Sequence, residues 1–397
     1  MSDDKRDELR TTLHEYLNWW GLKRFTSDAD YFACQRQQLS PAELNQLNDQ
    51  VKRKRGGDRR DEIAFYDLTV QSKLLPVLYS QRYEYYGEIG SRVASRMGGA
   101  KAILDFGCGV GILTTFYASR FPDKQFIGVD RSPASIAVAQ QKAEEQGLSN
   151  VSFECVDVET EPLSGSYDLI IATQALVQAE QDPGIPSQSW QTFERARDAD
   201  QQVAFEQRTG IGVRLDRLTA ILDQNGRMIV FEKTRQLARR VPFQRALEAR
   251  RMQLIEAPEQ IRYQLVEEVA DDGPFYVLQK GGSALVKWDE SPEPDEGLPF
   301  DRVALQQKLG EPDAPLYENH APSAQRAWEQ LNHRTIIEER TSQASDGRQL
   351  HVELGTAEGY VYLYCANSFD HRQLAVVQST SAALLEAYYQ EILREIG

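Results

Sequence analysis

Residues 103–111 read Ile-Leu-Asp-Phe-Gly-Cys-Gly-Val-Gly. Three glycines alternate with other residues directly after a short apolar run, so a ligand can come close against the backbone. The neighbouring residues decide which ligand. A loop for phosphate and magnesium needs Gly-Lys-Ser/Thr, whereas Gly111 is followed by Ile112 and Leu113. A dinucleotide loop spaces its glycines G-x-G-x-x-G; the spacing here is G-x-G-x-G. Asp105 stands two residues before the first glycine. A carboxylate there repels a pyrophosphate and attracts a cation, such as the ammonium of an amino acid. The expected ligand is therefore a nucleoside with a positive tail and no phosphate. Asp130 follows Gly111 by nineteen residues, and an acid at about that distance, ~20 residues, accepts ribose hydroxyls. Asp157, in Cys-Val-Asp-Val-Glu, is placed to accept a hydrogen bond from an adenine amino group; its other reading is a turn former.

These residues need strand ends to hold them. Ala102–Phe106, Gln125–Asp130, Val151–Asp157 and Tyr167–Thr173 read as short apolar strands. Helices over Ile112–Arg120 and from Ser132-Pro133 to Gln146 separate them, and a helix over Val213–Leu222 precedes a strand at Arg227–Glu232. This rhythm predicts a parallel sheet with helices on both faces. Tyr263–Val269 and Phe275–Gln279 flank Asp271-Asp272-Gly273, a turn signal, and predict a closing antiparallel hairpin. Upstream, Leu9, Leu13, Tyr16, Leu17 and Trp20 fall on one helical face. Ser40-Pro41-Ala42-Glu43 is a capping box. The basic run Lys52–Arg55 suits a helix C-terminus.

Downstream, Trp288–Pro299 is acidic and proline-rich and reads as a linker. A helix over Ala321–Asn332 and four strand-like runs follow, at Thr335–Arg340, Gln349–Leu354, Tyr360–Cys365 and Gln373–Val377. A closing helix places Leu385, Tyr389, Ile392 and Ile396 on one face. The expected organisation is an N-terminal helical region or lid (1–97), a Rossmann-like α/β domain (98–281), an acidic linker (282–300) and a small C-terminal α+β domain (301–397).

At this level the chain resembles the class I S-adenosylmethionine-dependent methyltransferases, over about residues 100–280. The motifs are ILDFGCGVG, GVDRSP, CVDVE, YDLIIAT and LDQNGRMIVFE, in order and spacing. The resemblance implies S-adenosylmethionine as cofactor and a Rossmann-like sheet ending in an antiparallel strand. It implies that Asp105, Phe106, Gly107, Cys108, Gly109 and Gly111 hold the methionine end. It puts Asp130 on the ribose with Arg131 beside the adenosine, Asp157 and Val158 at the adenine, and Thr173 and Gln174 beside cofactor and substrate.

The acceptor is less legible. The place after the fourth strand reads Ala172-Thr173-Gln174-Ala175-Leu176, without the Asn/Asp-Pro-Pro-aromatic run of many amino-group methyltransferases. Gln178 stands where many small-molecule members carry a histidine before an Asp-Pro, here Asp182-Pro183. Glu180 and Glu232 are the substitute bases to examine. Trp190, Phe193 and Phe205 in the insert 184–212, and Tyr79, Tyr83, Tyr85 and Tyr86 before the first strand, are expected to shape the acceptor pocket. The expected function is methyl transfer to a small molecule. The alternatives are a protein acceptor recruited by the C-terminal domain, and a sensor or scaffold that binds the cofactor without catalysis.

Composition narrows the partners. The formal charge is −15, which disfavours nucleic acid. Residues 281–397 hold nine Lys/Arg against nineteen Asp/Glu. Tyr360, Tyr362 and Tyr364 alternate on one strand there, but so acidic a domain argues against base stacking. No apolar run reaches the ~20 residues of a membrane span, and the polar start MSDDKRDELR reads as cytosolic. Cys34, Cys108, Cys155 and Cys365 lie far apart, so neither a zinc knuckle nor a disulfide framework is expected. His351 is expected on the polar face of its strand, and with His320, His333 and His371 it makes no ligand spacing; no metal is expected.

Overall fold

The computed structural model describes residues 3–56, 59–177, 182–282, 285–295, 297, 315–344 and 347–396. Contacts divide the chain into two units. The first comprises residues 1–182, 206–235 and 244–288; the second comprises 183–205, 236–243 and 289–397.

The first unit opens with helices α1 (Asp3–Trp19), α2 (Asp28–Gln38), α3 (Pro41–Gly56), α4 (Arg59–Thr69), α5 (Leu74–Ser80) and α6 (Tyr83–Arg96). The capping box forms as read: the Glu43 N–H donates to Ser40 Oγ at 3.3 Å, and the Ser40 N–H donates to Glu43 Oε2 at 2.7 Å. Leu9, Leu13 and Leu17 of α1 enter the same core as Ile89 and Val93 of α6.

There follow β1 (Ala102–Phe106), α7 (Ile112–Arg120), β2 (Gln125–Asp130), α8 (Pro133–Glu145), β3 (Val151–Cys155) and β4 (Tyr167–Thr173). After α9 (Ala199–Thr209) and α10 (Ile211–Ile221) come β5 (Leu222–Phe231), α11 (Leu237–Ala249), β6 (Met252–Leu254), β7 (Glu259–Leu265) and β8 (Glu268–Lys280). The sheet order is β3-β2-β1-β4-β5-β8-β6, with β7 also paired to β8. The first five strands are parallel, and β8 runs antiparallel between β5 and β6. This is the expected doubly wound α/β sheet. Its apolar strands supply Ile103, Leu169, Ile171, Ile229 and Val277 to the core.

The hairpin forms, but its turn lies at Val266-Glu267 instead of Asp271-Asp272-Gly273. Val266 takes a φ of +61°, and a register shift between Ile261 and Arg262 absorbs the extra length of β8. Asp272 is thereby a strand residue.

The second unit holds β9 (Tyr317–His320), α12 (Ala321–Gln330), β10 (Arg334–Gln343), β11 (Gln349–Ala357), β12 (Tyr360–Asn367), β13 (Arg372–Gln378) and α13 (Ala382–Ile396). Its antiparallel sheet has the order β10-β11-β12-β13-β9. The meander is as expected; β9 was not legible. Tyr362 and Tyr364 pack with Ala324, Ala327 and Leu331 from α12 and its end, so helix packing covers the tyrosine face. The other face packs Val352, Leu363 and Val377 against Leu385 and Tyr389 of α13. His351 lies on the tyrosine face and is 2% exposed, which corrects the polar face expected for it. The insert residues Trp190, Phe193 and Phe205 belong to this unit: Trp190 stacks on His351 at 3.7 Å, and Phe193 lies under the Arg372 guanidinium.

Candidate functional site

Strand β1 ends in the glycine loop, and the loop leads into α7. The Gly107 and Cys108 N–H groups both donate to the Val129 carbonyl, which ties the loop to the end of β2. Gly107 has a φ of +74°, and a Cβ there would stand 2.3 Å from the Ala175 Cβ, so only glycine fits. Asp105 is 5% exposed. Its Oδ2 accepts from Thr114 Oγ1 at 2.5 Å, and Oδ1 accepts nothing among the described residues. Burial pushes its pKa up to about 7; the Thr114 bond opposes this and the charge of Asp130 adds to it. Asp130 closes β2. Its Oδ2 accepts the Gly109 N–H at 3.0 Å and its Oδ1 the Ser132 N–H at 2.9 Å. Burial raises its pKa and these backbone donors oppose the rise.

A cavity of about 890 Å³ opens on these strand ends. Asp105, Phe106, Gly107, Cys108, Gly109, Asp130, Arg131, Asp157, Val158, Thr173 and Gln174 all line it. Gly111 does not. With a φ of +77° it packs where a Cβ would meet Ala139 at 2.8 Å and Phe153 at 3.0 Å, so its task is to seat α7 against α8 and β3.

The helices before the sheet supply the opposite wall. Arg59 of α4 pairs with Asp157, Glu62 of α4 pairs with Arg131, and Asp67 accepts from Ser132 Oγ at 2.7 Å. So α4 sits on the acids and cations assigned to the adenosine. Arg82, just before α6, donates to Gln174 Oε1 and lies 4.1 Å from the Tyr85 ring centroid. It makes no ion pair among the described residues. Gln174 Nε2 donates to Asp272, which also accepts from Tyr263. Tyr79, Tyr85, Tyr86, Tyr66, Phe65 and Phe32 complete an aromatic wall. Tyr83 faces away and donates to the His14 carbonyl at 3.1 Å.

A family model described as a methyltransferase domain matches residues 98–248. These residues form a class I S-adenosylmethionine-dependent methyltransferase domain. The malonyl-[acyl-carrier protein] O-methyltransferase of Acetivibrio thermocellus is 31% identical over 114 residues, which are 26% of this chain and 39% of that protein. The trans-aconitate 2-methyltransferase of Deinococcus radiodurans is 37% identical over 89 residues, 22% of this chain and 32% of that protein. The chain thus spans less than half the length of either relative. The solved N-methyltransferase NodS of Bradyrhizobium japonicum, in complex with S-adenosyl-L-homocysteine, aligns with 49% of this chain and 85% of its own at 15% identity, with a TM-score of 0.33.

The methyltransferase domain and its flanking helices fit S-adenosylmethionine. Asp105 offers a desolvated carboxylate with a free oxygen, and Arg82 offers a guanidinium without a counter-charge. Together they complement the ammonium and carboxylate of an amino acid. No lysine-serine pair stands in the loop to call for a phosphate. An ammonium pairs with Asp105 only when the carboxylate is ionised. Cofactor affinity is therefore expected to fall below pH 7, by about tenfold per unit for one proton. Titrations between pH 5.5 and 8 check this, and Asp105→Asn should flatten the profile. An unchanged slope in that variant would assign the proton elsewhere. In the ligand-free chain the sign is reversed. The folded state holds the Asp105 proton up to about pH 7, so this group's contribution to stability declines as pH rises from its ordinary carboxylate range to 7.

Glu232 is a clamp. It is 1% exposed, and its carboxylate accepts the N–H groups of Ala175 and Leu176 at 2.7 Å each and of Val177 at 3.4 Å. Burial pushes its pKa up to about 7 against these bonds. It holds the turn after β4 in shape, which places Gln174. Gln178 and Glu180 lie outside the described residues. Trp190, Phe193 and Phe205 belong to the second unit. Sequence reasoning missed Arg82, Arg59, Glu62, Tyr263 and Asp272. Arg82 stands between Tyr79 and Tyr83, and its charge at an aromatic helix start is the one signal the sequence offers.

Proposed function

We propose that this chain is an S-adenosylmethionine-dependent methyltransferase acting on a small-molecule acceptor. The observation that carries the reading is the joining of two walls in one cavity. One wall bears the glycine loop, Asp105 and Asp130; the other is aromatic and closes over it from the N-terminal helices. Ligand pockets measure about 300–1,000 Å³, and 890 Å³ leaves space for a small acceptor beside a nucleoside. The names of the relatives, which describe methylation of malonyl-[acyl-carrier protein] and trans-aconitate, agree with this class without fixing the acceptor. Among the described residues no helix is long and apolar enough to cross a membrane.

When bound, S-adenosylmethionine supplies a methyl group on an electrophilic sulfonium. The work left to the protein is binding, orientation and exclusion of water, and positioning alone is worth about 7–11 kcal/mol. Asp130 and the backbone around Gly109 hold the ribose, while Asp157 and Val158 border the adenine. Asp105 and Arg82 fix the amino-acid end, and Tyr85, Tyr86 and Gln174 wall the space next to it.

Calorimetric titration with S-adenosylmethionine and S-adenosylhomocysteine, beside Asp130→Ala, tests the cofactor. Losing a charged hydrogen bond to ribose is expected to cost about 1.5–3 kcal/mol, roughly tenfold to over a hundredfold in affinity. An acceptor screen then tests the transfer. Absence of binding by the intact chain would overturn the reading.

A further inference from the structure

The second unit carries a cluster the methyltransferase reading does not use. Glu339 of β10 and Glu353 of β11 are direct cross-strand partners, and His351 of β11 is the partner of Thr341. All four side chains lie on one face. One ligand atom from each of Glu339, His351 and Glu353 lies within 4.8 Å of the others. His351 is 2% and Glu353 3% exposed, while Glu339 is exposed. We propose that these three residues bind a divalent transition-metal ion, zinc being the best match, and that the ion fastens the edge strand β10 to β11.

Three observations support this. Carboxylates placed directly opposite each other on paired strands repel, and Glu339 and Glu353 are so placed, so a cation between them would turn a cost into a bond. The buried pair also has ligand-like spacing. His351 Nε2 is 3.4 Å from Glu353 Oε2, whereas a charge-assisted N–H···O⁻ bond closes to about 2.7–2.9 Å. Two ligands on tetrahedral zinc, each roughly 2.0–2.2 Å from the ion, stand about 3.3–3.6 Å apart. Finally, the outer partners that metal ligands need are in place. Thr341 Oγ1 lies 2.8 Å from His351 Nδ1 and leaves Nε2 to face the carboxylates. Trp328 Nε1 at 3.1 Å and the Tyr362 hydroxyl at 2.5 Å both donate to Glu353 Oε1, which leaves Oε2 for an ion. Trp190, stacked on the imidazole at an interplanar angle of 4°, fixes the ring. Imidazole with carboxylates suits zinc better than calcium or magnesium, which take oxygen ligands alone. Three protein ligands leave the fourth position to water on the exposed Glu339 side.

The test uses the full chain, stripped of metal by chelator and dialysis, with zinc chloride as probe. Calorimetry should show one zinc bound with micromolar or tighter affinity, and thermal unfolding should shift upward with zinc. Glu339→Gln changes an exposed side chain and should fold normally. It is expected to lose at least tenfold in zinc affinity and most of the thermal shift, with the metal-free melting temperature unchanged or slightly raised by relief of the carboxylate repulsion. Thr341→Val should weaken zinc about 10–100-fold through the imidazole alone. No saturable binding, or equal binding by the wild type and Glu339→Gln, would overturn the proposal. Neither readout depends on methyl transfer.

Discussion

Gly107→Ala is expected to be among the most damaging single substitutions in the first unit. A left-handed φ costs an alanine about 1–2 kcal/mol. The added Cβ also has to clear the Ala175 Cβ at 2.3 Å, and overpacking typically costs about 1–3 kcal/mol more. Ala175 cannot retreat, because its own N–H is held by Glu232. The loop has to move instead, away from the Val129 carbonyl that anchors it. The expected result is a stability loss of about 2–5 kcal/mol and no measurable S-adenosylmethionine binding. Thermal unfolding and calorimetry check both. Wild-type affinity in a folded Gly107→Ala variant would show that the ligand does not depend on this loop.

Arg82→Met is expected to remove the partner of the cofactor's carboxylate while keeping much of the side chain's packing against Tyr85. Breaking a buried, hydrogen-bonded charge pair typically costs about 2–5 kcal/mol, so affinity for S-adenosylmethionine should fall by roughly thirtyfold or more. The informative control is 5′-methylthioadenosine, which has the nucleoside and sulfur but no amino acid. Its affinity should be unchanged. Equal losses for both ligands would mean that Arg82 acts by holding Gln174 and the loop after β4, not by meeting a carboxylate.

The cofactor side of this site was legible because its chemistry is local. Asp105, the glycines and Asp130 lie within 26 residues, at strand ends that the apolar pattern marks. Gly111 also lets two helices and a strand meet, a packing role that spacing alone does not reveal. The facing wall was not legible because it is assembled from far away. Arg82 and Asp272 meet at Gln174 from 92 and 98 residues away. The strongest local turn signal, Asp271-Asp272-Gly273, was overridden by pairing. Continuing β8 along β7 satisfied more backbone groups than turning there, even with a β-branched Val266 at positive φ. In the second unit the alternation at His351 holds, but the face it points to is the buried one. Which side of a strand is buried depends on α12 and on Trp190, and neither is near it in the sequence.

The position of β8 between β5 and β6 bears on where this domain can be cut. The segment matched by the family model ends at residue 248, before β6, β7 and β8 begin. A fragment with those ends would expose the backbone groups along β5 that now pair with β8, an unprotected edge of the kind that recruits other chains. It would also uncover the core surface that α1 and α6 hide, and lose Arg82, Tyr85, Tyr263 and Asp272 from the cavity. The stretch by which the domain is recognised is therefore shorter than the stretch that can stay soluble and keep its pocket. The first unit runs from α1 to Trp288, but residues 183–205 and 236–243 within that span belong to the second unit, so no single cut frees it.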